Sequence, residues 1–301
     1  MNRNGVVFVS SSASQPNPLV RGFFDQATNT VSYMVQDALT GAAAIVDPVL
    51  DYAPRKARTS TASADALLAM LTAQNLELRY ILETHVHADH LSAADYLRTK
   101  TGAPIVIGAQ ITQVQSHFSA IFGADDVVPD GSAFDILAED EAILPLGSLK
   151  IRVLHTPGHT PSCVSFVIGD AAFVGDTLFM PDYGTARTDF PGGNAKALYN
   201  SIRRILALPP ETRLFTGHDY LSASRDVPAW EASVSAQRSG NVHVHDGISE
   251  AAFITLRQSR DAGLDAPQLL LPAIQVNIRA GAMPPVAPDG QIYLRLPINR
   301  L

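Results

Sequence analysis

Between positions 84 and 90 the chain reads Thr84-His85-Val86-His87-Ala88-Asp89-His90, three imidazoles and a carboxylate in one short stretch. Histidine is the commonest side-chain metal ligand. Neutral imidazole beside carboxylate suits zinc, iron or manganese rather than calcium or magnesium. The cluster follows the largely apolar run Leu78-Arg79-Tyr80-Ile81-Leu82 by one residue, which places it at the end of an expected strand. His85 and His87 are two apart, so an extended backbone points both to the same side, as a helix would not. From Asp89 and His90 a helix-like run is expected to continue to Arg98 and to carry these two further ligands toward the same place.

Three later segments supply partners. Leu154-His155-Thr156-Pro157-Gly158-His159 follows an apolar strand-like run, and its Pro-Gly pair forces a tight turn able to aim His159 inward. Ala172-Phe173-Val174-Gly175-Asp176 is a short buried strand that sets a carboxylate at its terminus, and Leu214-Phe215-Thr216-Gly217-His218 repeats the arrangement with a histidine. A single strand-end Asp or His is more often a cap or a satisfied core residue. Together the segments put His85, His87, Asp89, His90, His159, Asp176 and His218 at strand ends along one edge of a sheet.

The elements that position them read as one α/β domain. Val31, Tyr33 and Val35 alternate toward one side, the chain turns at Thr40-Gly41, and the strand Ala42 to Val46 returns, a hairpin opening a sheet. Ser63 to Asn75, with Leu67, Leu68 and Leu71 at helical spacing, is an amphipathic helix that packs on it, and a second helix is expected from Ser249 to Asp261. At 301 residues the chain is within the range of one-domain α/β architectures. No apolar run reaches the ~18 residues of a membrane span. The net charge of -7 gives no electrostatic footprint for nucleic acid or anionic membrane. The one cysteine, Cys163, excludes an internal disulfide and, in a strand-like run, reads as buried packing. His243 and His245 fall in a polar loop and are not expected to be ligands.

The order HxHxDH, PGH, GD and GHD, preceded by Ala44-Ile45-Val46-Asp47-Pro48, resembles the metallo-β-lactamase superfamily over roughly residues 23 to 235. The resemblance implies a four-layer αββα sandwich, two mixed β-sheets flanked by helices, with the metal site at one edge. Asp47 would stand near the metal loops; an Asp-Pro turn is the alternative. The expected organisation is a flexible N-terminus at 1–22, the main domain at 23–235 and a C-terminal extension at 236–301 packed on it. Two arginines, several serines and the absence of acids weakly suggest a transit peptide in the first 22 residues, but Pro16 and Pro18 spoil its helix. A cytoplasmic location is expected, with the mitochondrial matrix as the alternative.

Such a fold hosts both hydrolysis and redox chemistry. A hydrolase uses two adjacent metals to activate a water, whereas a dioxygenase needs one iron on two His and one carboxylate with an open face. The seven residues contain both sets. Within the superfamily, the stretch Gly175 to Phe190, with its Arg187-Thr188-Asp189-Phe190, is similar to the persulfide dioxygenases, as are Pro157 to Val164, Gly217-His218-Asp219-Tyr220 and Val276-Asn277-Ile278-Arg279. That resemblance implies one Fe(II) on His85, His159 and Asp176, with His87, Asp89, His90 and His218 as its hydrogen-bonding surroundings or, alternatively, the holders of a second metal. Tyr220 would stand beside the iron. Arg187, Tyr183 and Arg279 would bind substrate, with ion pairs such as Arg187 to Asp189 the alternative for the arginines. The implied reaction oxidises glutathione persulfide with O2 and water to sulfite and glutathione, in a homo-oligomer, dimer or tetramer. The alternative is a two-zinc hydrolase of hydroxyacylglutathione, the glyoxalase II type. That type expects an Arg-x-x-Lys clamp, which Arg257-Gln258-Ser259-Arg260 matches poorly. Met180 to Tyr183 lengthens the loop relative to other persulfide dioxygenases, and the tail runs on through Ile292-Tyr293-Leu294.

Overall fold

A computed structural model describes residues 17–300 of the chain. Its first half contains strands β1 (Leu19–Asp25), β2 (Thr30–Gln36), β3 (Ala42–Val46), β4 (Val49–Ala53) and β5 (Arg58–Ser60), helix α1 (Ala62–Ala73), strands β6 (Glu77–Leu82) and β7 (Leu91–Ser92), helix α2 (Ala94–Thr101), strand β8 (Ile105–Gly108) and helix α3 (Ile111–Phe122). The second half adds strands β9 (Ile136–Ala138), β10 (Ile143–Leu146), β11 (Leu149–His155), β12 (Val164–Ile168) and β13 (Ala171–Gly175) and helix α4 (Ala195–Ile205). Strands β14 (Arg213–Thr216) and β15 (Glu231–Ser233) follow, then helices α5 (Val234–Gly240), α6 (Glu250–Asp261) and α7 (Leu270–Asn277).

Two mixed sheets face each other, one ordered β1-β2-β3-β6-β8-β9 and the other β10-β11-β12-β13-β14-β15, with β5-β4-β7 as a small third sheet. Period-two alternation builds the layers. Ala44 and Val46 of β3 join Val31, Tyr33 and Val35 of β2 in the core between the sheets, where they meet Ile151, Val153, Phe166, Phe173 and Phe215. Ala43 and Ile45 point the other way, into a core with Leu67 and Leu71 of α1, Leu97 of α2, Phe118 of α3 and Ile274 of α7. On the far side Ala172, Val174 and Leu214 pack under Leu198, Ile202 and Ile205 of α4 and Phe253 of α6. Those α4 residues fall at i, i+4 and i+7, one helical stripe. The result is helices, sheet, sheet, helices: a mixed α/β four-layer sandwich.

Several boundaries differ from the sequence reading. Residues 1–16 of the expected flexible N-terminus lie outside the described residues, but Leu19 to Gly22 form the first part of β1, paired antiparallel with Tyr33 to Gln36. The helix-like run from His90 divides in two. Leu91 and Ser92 pair with Leu50 and Val49 as β7, and α2 starts only at Ala94. A strand partner across the gap takes backbone groups that a helix would otherwise use. The hairpin, α1 and α6 stand where expected to within a residue or two, and Ser249 caps α6 by accepting from the Ala252 amide. Residues from 236 onward pack on both outer layers through α6 and α7. Among the described residues no helix is long and apolar enough to cross a membrane.

Candidate metal centre

All seven predicted residues lie in the segments that follow β6, β11, β13 and β14 and converge on one site. Their ring and carboxylate atoms form two groups. His85, His159 and Asp176 each offer one atom, all within 4.8 Å of one another, and His87, Asp89, His90 and His218 do the same. The rings of His85 and His87 are 4.1 Å apart, on an irregular loop that leaves β6 at Leu82 and bends at Thr84 and His85 rather than on the extended strand end expected.

Local structure aims each side chain. Gly158 has φ of +140°, and a Cβ there would stand 2.3 Å from the Leu198 backbone of α4, so only glycine lets the turn lie against the helix and direct His159 inward. The Arg187 carbonyl accepts from His159 Nδ1 at 2.9 Å. That bond places the proton on Nδ1 and leaves the Nε2 lone pair free, 3.7 Å from Asp176 Oδ2. His85 Nε2 is 4.0 Å from the same oxygen. Asp47, at φ of +47°, accepts from the Thr84 amide at 2.7 Å and the Thr84 hydroxyl at 2.8 Å, and stands 3.1 Å from His87 Nε2. Its position beside the metal loops is the one expected of it. Glu83, unremarked in the sequence reading, is buried with Oε2 3.5 Å from His87 Nε2.

Asp176 faces both groups. Its Oδ2 looks to His85 and His159, and its Oδ1 lies 3.4 Å from His218 Nε2, which is itself 3.0 Å from Asp89 Oδ2. Burial and the neighbouring His87 and His159 push the His85 imidazole well below the ordinary range, so its lone pair is available. His218 moves the other way, up to about 9: burial opposes its charge, but Asp176 and Asp89 outweigh it.

Buried polar atoms ordinarily find partners. His85 Nε2, both ring nitrogens of His87, Asp89 Oδ2, His90 Nε2, Asp176 Oδ1 and His218 Nε2 have none, and elsewhere among the described residues only Arg203 Nε shares that state. Nitrogen and oxygen atoms converging without hydrogen-bond partners fit a first-row transition metal, whose binding would displace the proton that His218 holds. The donor set suits iron or zinc and carries no thiolate.

A cavity of about 450 Å³ opens over the group, with Asp89, His159 and Asp176 in its floor and Phe179, Ala186 and Leu269 in its walls. Tyr220 and Tyr183 both line it, their rings 5.5 Å apart, and the Tyr220 ring stacks 5.4 Å from that of His218. Burial, with Asp89 and Asp176 nearby, holds the Tyr220 hydroxyl well above its usual range, so it remains a donor. Arg187 lines the cavity while paired with Asp189 at 2.5 Å and donating to the Asp265 carbonyl. Arg279 is elsewhere: it pairs with Asp126 at 2.7 Å and is absent from the cavity lining. Arg257, Arg260 and His243 line the cavity instead. Arg257 is buried and bound to Asp261 at 2.8 Å, whereas Arg260 has no ion-pair partner among the described residues. Their spacing of three on α6 was visible as one helix face, but which way that face points was not. His243 accepts from the Thr185 amide at 3.1 Å, and neither it nor His245 belongs to either candidate metal group. Cys163 is buried, its thiol pushed up to about 12 by burial.

A family model described as the metallo-beta-lactamase superfamily matches residues 26–218. The chain is 50% identical over 94% of its length to a probable metallo-hydrolase of Burkholderia pseudomallei, 99% of which is covered. It is 46% identical over 90% of its length to the Glyoxylase B2 of Dictyostelium discoideum, covering 94% of it. To the mitochondrial persulfide dioxygenase ETHE1 of Homo sapiens it is 30% identical over 89% of its length, covering 91%. Among solved structures it is similar to ETHE1 from Myxococcus xanthus, with a TM-score of 0.70 and 31% identity over 88% of this chain and 100% of that one.

Proposed function

Because this chain belongs to the metallo-beta-lactamase superfamily, we propose that its centre holds one Fe(II) on His85, His159 and Asp176 and that it oxidises glutathione persulfide to sulfite. The observation that carries this reading is the triad itself: two imidazoles and one carboxylate, converging under an open cavity. Two His and one carboxylate on one face is the ligand set of non-haem iron oxygenases. The similarity to two proteins named ETHE1, one titled persulfide dioxygenase, supports it. Iron in that triad would supply the redox chemistry with O2.

The chain's own residues bind and orient. Tyr220, protonated and lining the cavity, would donate a hydrogen bond to a ligand bound there. Arg260, without an ion-pair partner among the described residues, offers its guanidinium to a carboxylate of the thiol carrier, a match of fork to fork. Phe179, Ala186 and Leu269 give the cavity an apolar side. Persulfide, O2 and one water yield thiol, sulfite and two protons, so atoms and charge balance.

A second reading rests on Asp176, whose two oxygens face both groups and could join two metals in a thioester hydrolase. The names of the Burkholderia and Dictyostelium relatives agree with it. Metal analysis of protein purified without added metal, paired with oxygen-electrode and thioester assays, separates the two. About one iron per chain with oxygen uptake on glutathione persulfide is expected, and both should vanish in Asp176→Ala. Two zinc ions with cleavage of S-lactoylglutathione and no uptake would overturn the proposal.

A further inference from the structure

Helix α7 ends on Asn277, a buried amide more than 180 positions from the metal-bearing loop in sequence and pressed against it in space. Its Nδ2 donates to the carbonyl oxygens of His87 and His90, each at 2.8 Å, and its Oδ1 accepts from the Ser92 amide at 2.8 Å. One side chain thus takes up three backbone groups of a loop with little regular structure, using both its donors. The two carbonyls flank Asp89, the loop's contribution to the cavity floor. Ser92 extends the contact: its hydroxyl donates to Glu83 Oε1 at 2.5 Å, and Glu83 Oε2 lies 3.5 Å from His87 Nε2.

We propose that Asn277 is a positioning residue of the metal centre, fixing the backbone at His87 and His90 and so the placement of both imidazoles and of Asp89. The C-terminal segment is then part of the site and not an appendage to the domain. The side-chain type is demanded by the contacts. Aspartate, its isostere, would set an oxygen against two carbonyl oxygens, and an apolar residue would leave two acceptors and a donor buried without partners. The loop so held also carries the proposed ligand His85, two residues before His87, and altering residues that orient a ligand without touching the metal typically changes metal affinity 10–100-fold.

This inference rests on the metal centre and not on the persulfide reading, so its test uses Co(II) and no substrate. Purified apoprotein is titrated with Co(II), and affinity and the visible ligand-field spectrum are recorded for wild type, Asn277→Asp and Gln275→Ala. Gln275 sits on the same helix but ties the tail, bonding to the Arg295 amide and carbonyl, so its loss loosens α7 without touching the loop. Asn277→Asp is expected to lose about 10-fold or more in Co(II) affinity and to shift the spectrum, with Gln275→Ala like wild type. If Asn277→Asp does not fold, Asn277→Ser, which leaves room for water at the carbonyls, is held to the same criteria. Wild-type affinity and spectrum in the folded Asn277 variant, or an equal change in Gln275→Ala, overturns the proposal.

Discussion

His243 shows how a residue outside the metal groups still shapes the site. Its ring lies against Gly184, where any Cβ would sit 2.1 Å from Nδ1, and it accepts the Thr185 amide, setting the backbone that leads to Arg187. Burial, then Arg260 and Arg257, pushes its imidazole down to about 4. The folded protein therefore keeps it neutral, whereas an unfolded chain takes up the proton at about 6.5. Its contribution to stability is whole above about pH 6.5, declines as pH falls toward 4 and is gone below, a loss on the order of 3 kcal/mol. Asp37 and Asp182, each held at about 2 by hydrogen bonds and, for Asp182, Arg225, act in a lower window, losing their contribution as pH falls from about 4 to 2. In His243→Gln, which can still accept the amide, the decline between pH 6.5 and 4 should shrink. Urea midpoints for both proteins at pH 7 and 4.5 measure the difference, and equal slopes would refute the assignment.

Among the elements, the Pro157-Gly158 turn and α4 depend on each other. The Leu198 backbone occupies the space a side chain at 158 would need, and Asn194 closes the contact by donating its amide to the Gly158 carbonyl at 2.8 Å while its side chain caps α4. Gly158→Ala forces either the turn or the helix to move. The expected cost is about 2–4 kcal/mol, from a disfavoured φ together with overpacking. Since His159 is the next residue, metal content should fall along with the melting temperature. Full metal occupancy in a destabilised Gly158→Ala protein would mean that the turn supports the fold alone.

At the scale of the whole molecule, the metal group is the one place among the described residues where buried polar atoms gather without partners. Filling it should bind the layers together, because its ligands come from both sheets. A metal at about 100 times its dissociation constant adds about 2.7 kcal/mol. Chelation should therefore lower the melting temperature by about 4 °C, and readdition should restore it; an unchanged melting curve after confirmed metal removal would contradict this. What the sequence by itself determined was local. Ligand types at a spacing of two after an apolar strand, glycines at the turns, and period-two alternation of Val31, Tyr33 and Val35 each follow from backbone geometry within a few residues. Only the tertiary structure decided which distant residues share a space. Arg279 pairs with Asp126 away from the cavity, Arg260 and His243 enter it, Glu83 approaches His87, and Asn277 reaches the metal loop. The physical reason is that spacing fixes which face of an element a side chain occupies, while the direction of that face depends on how whole layers pack, a long-range outcome that no short window of residues contains.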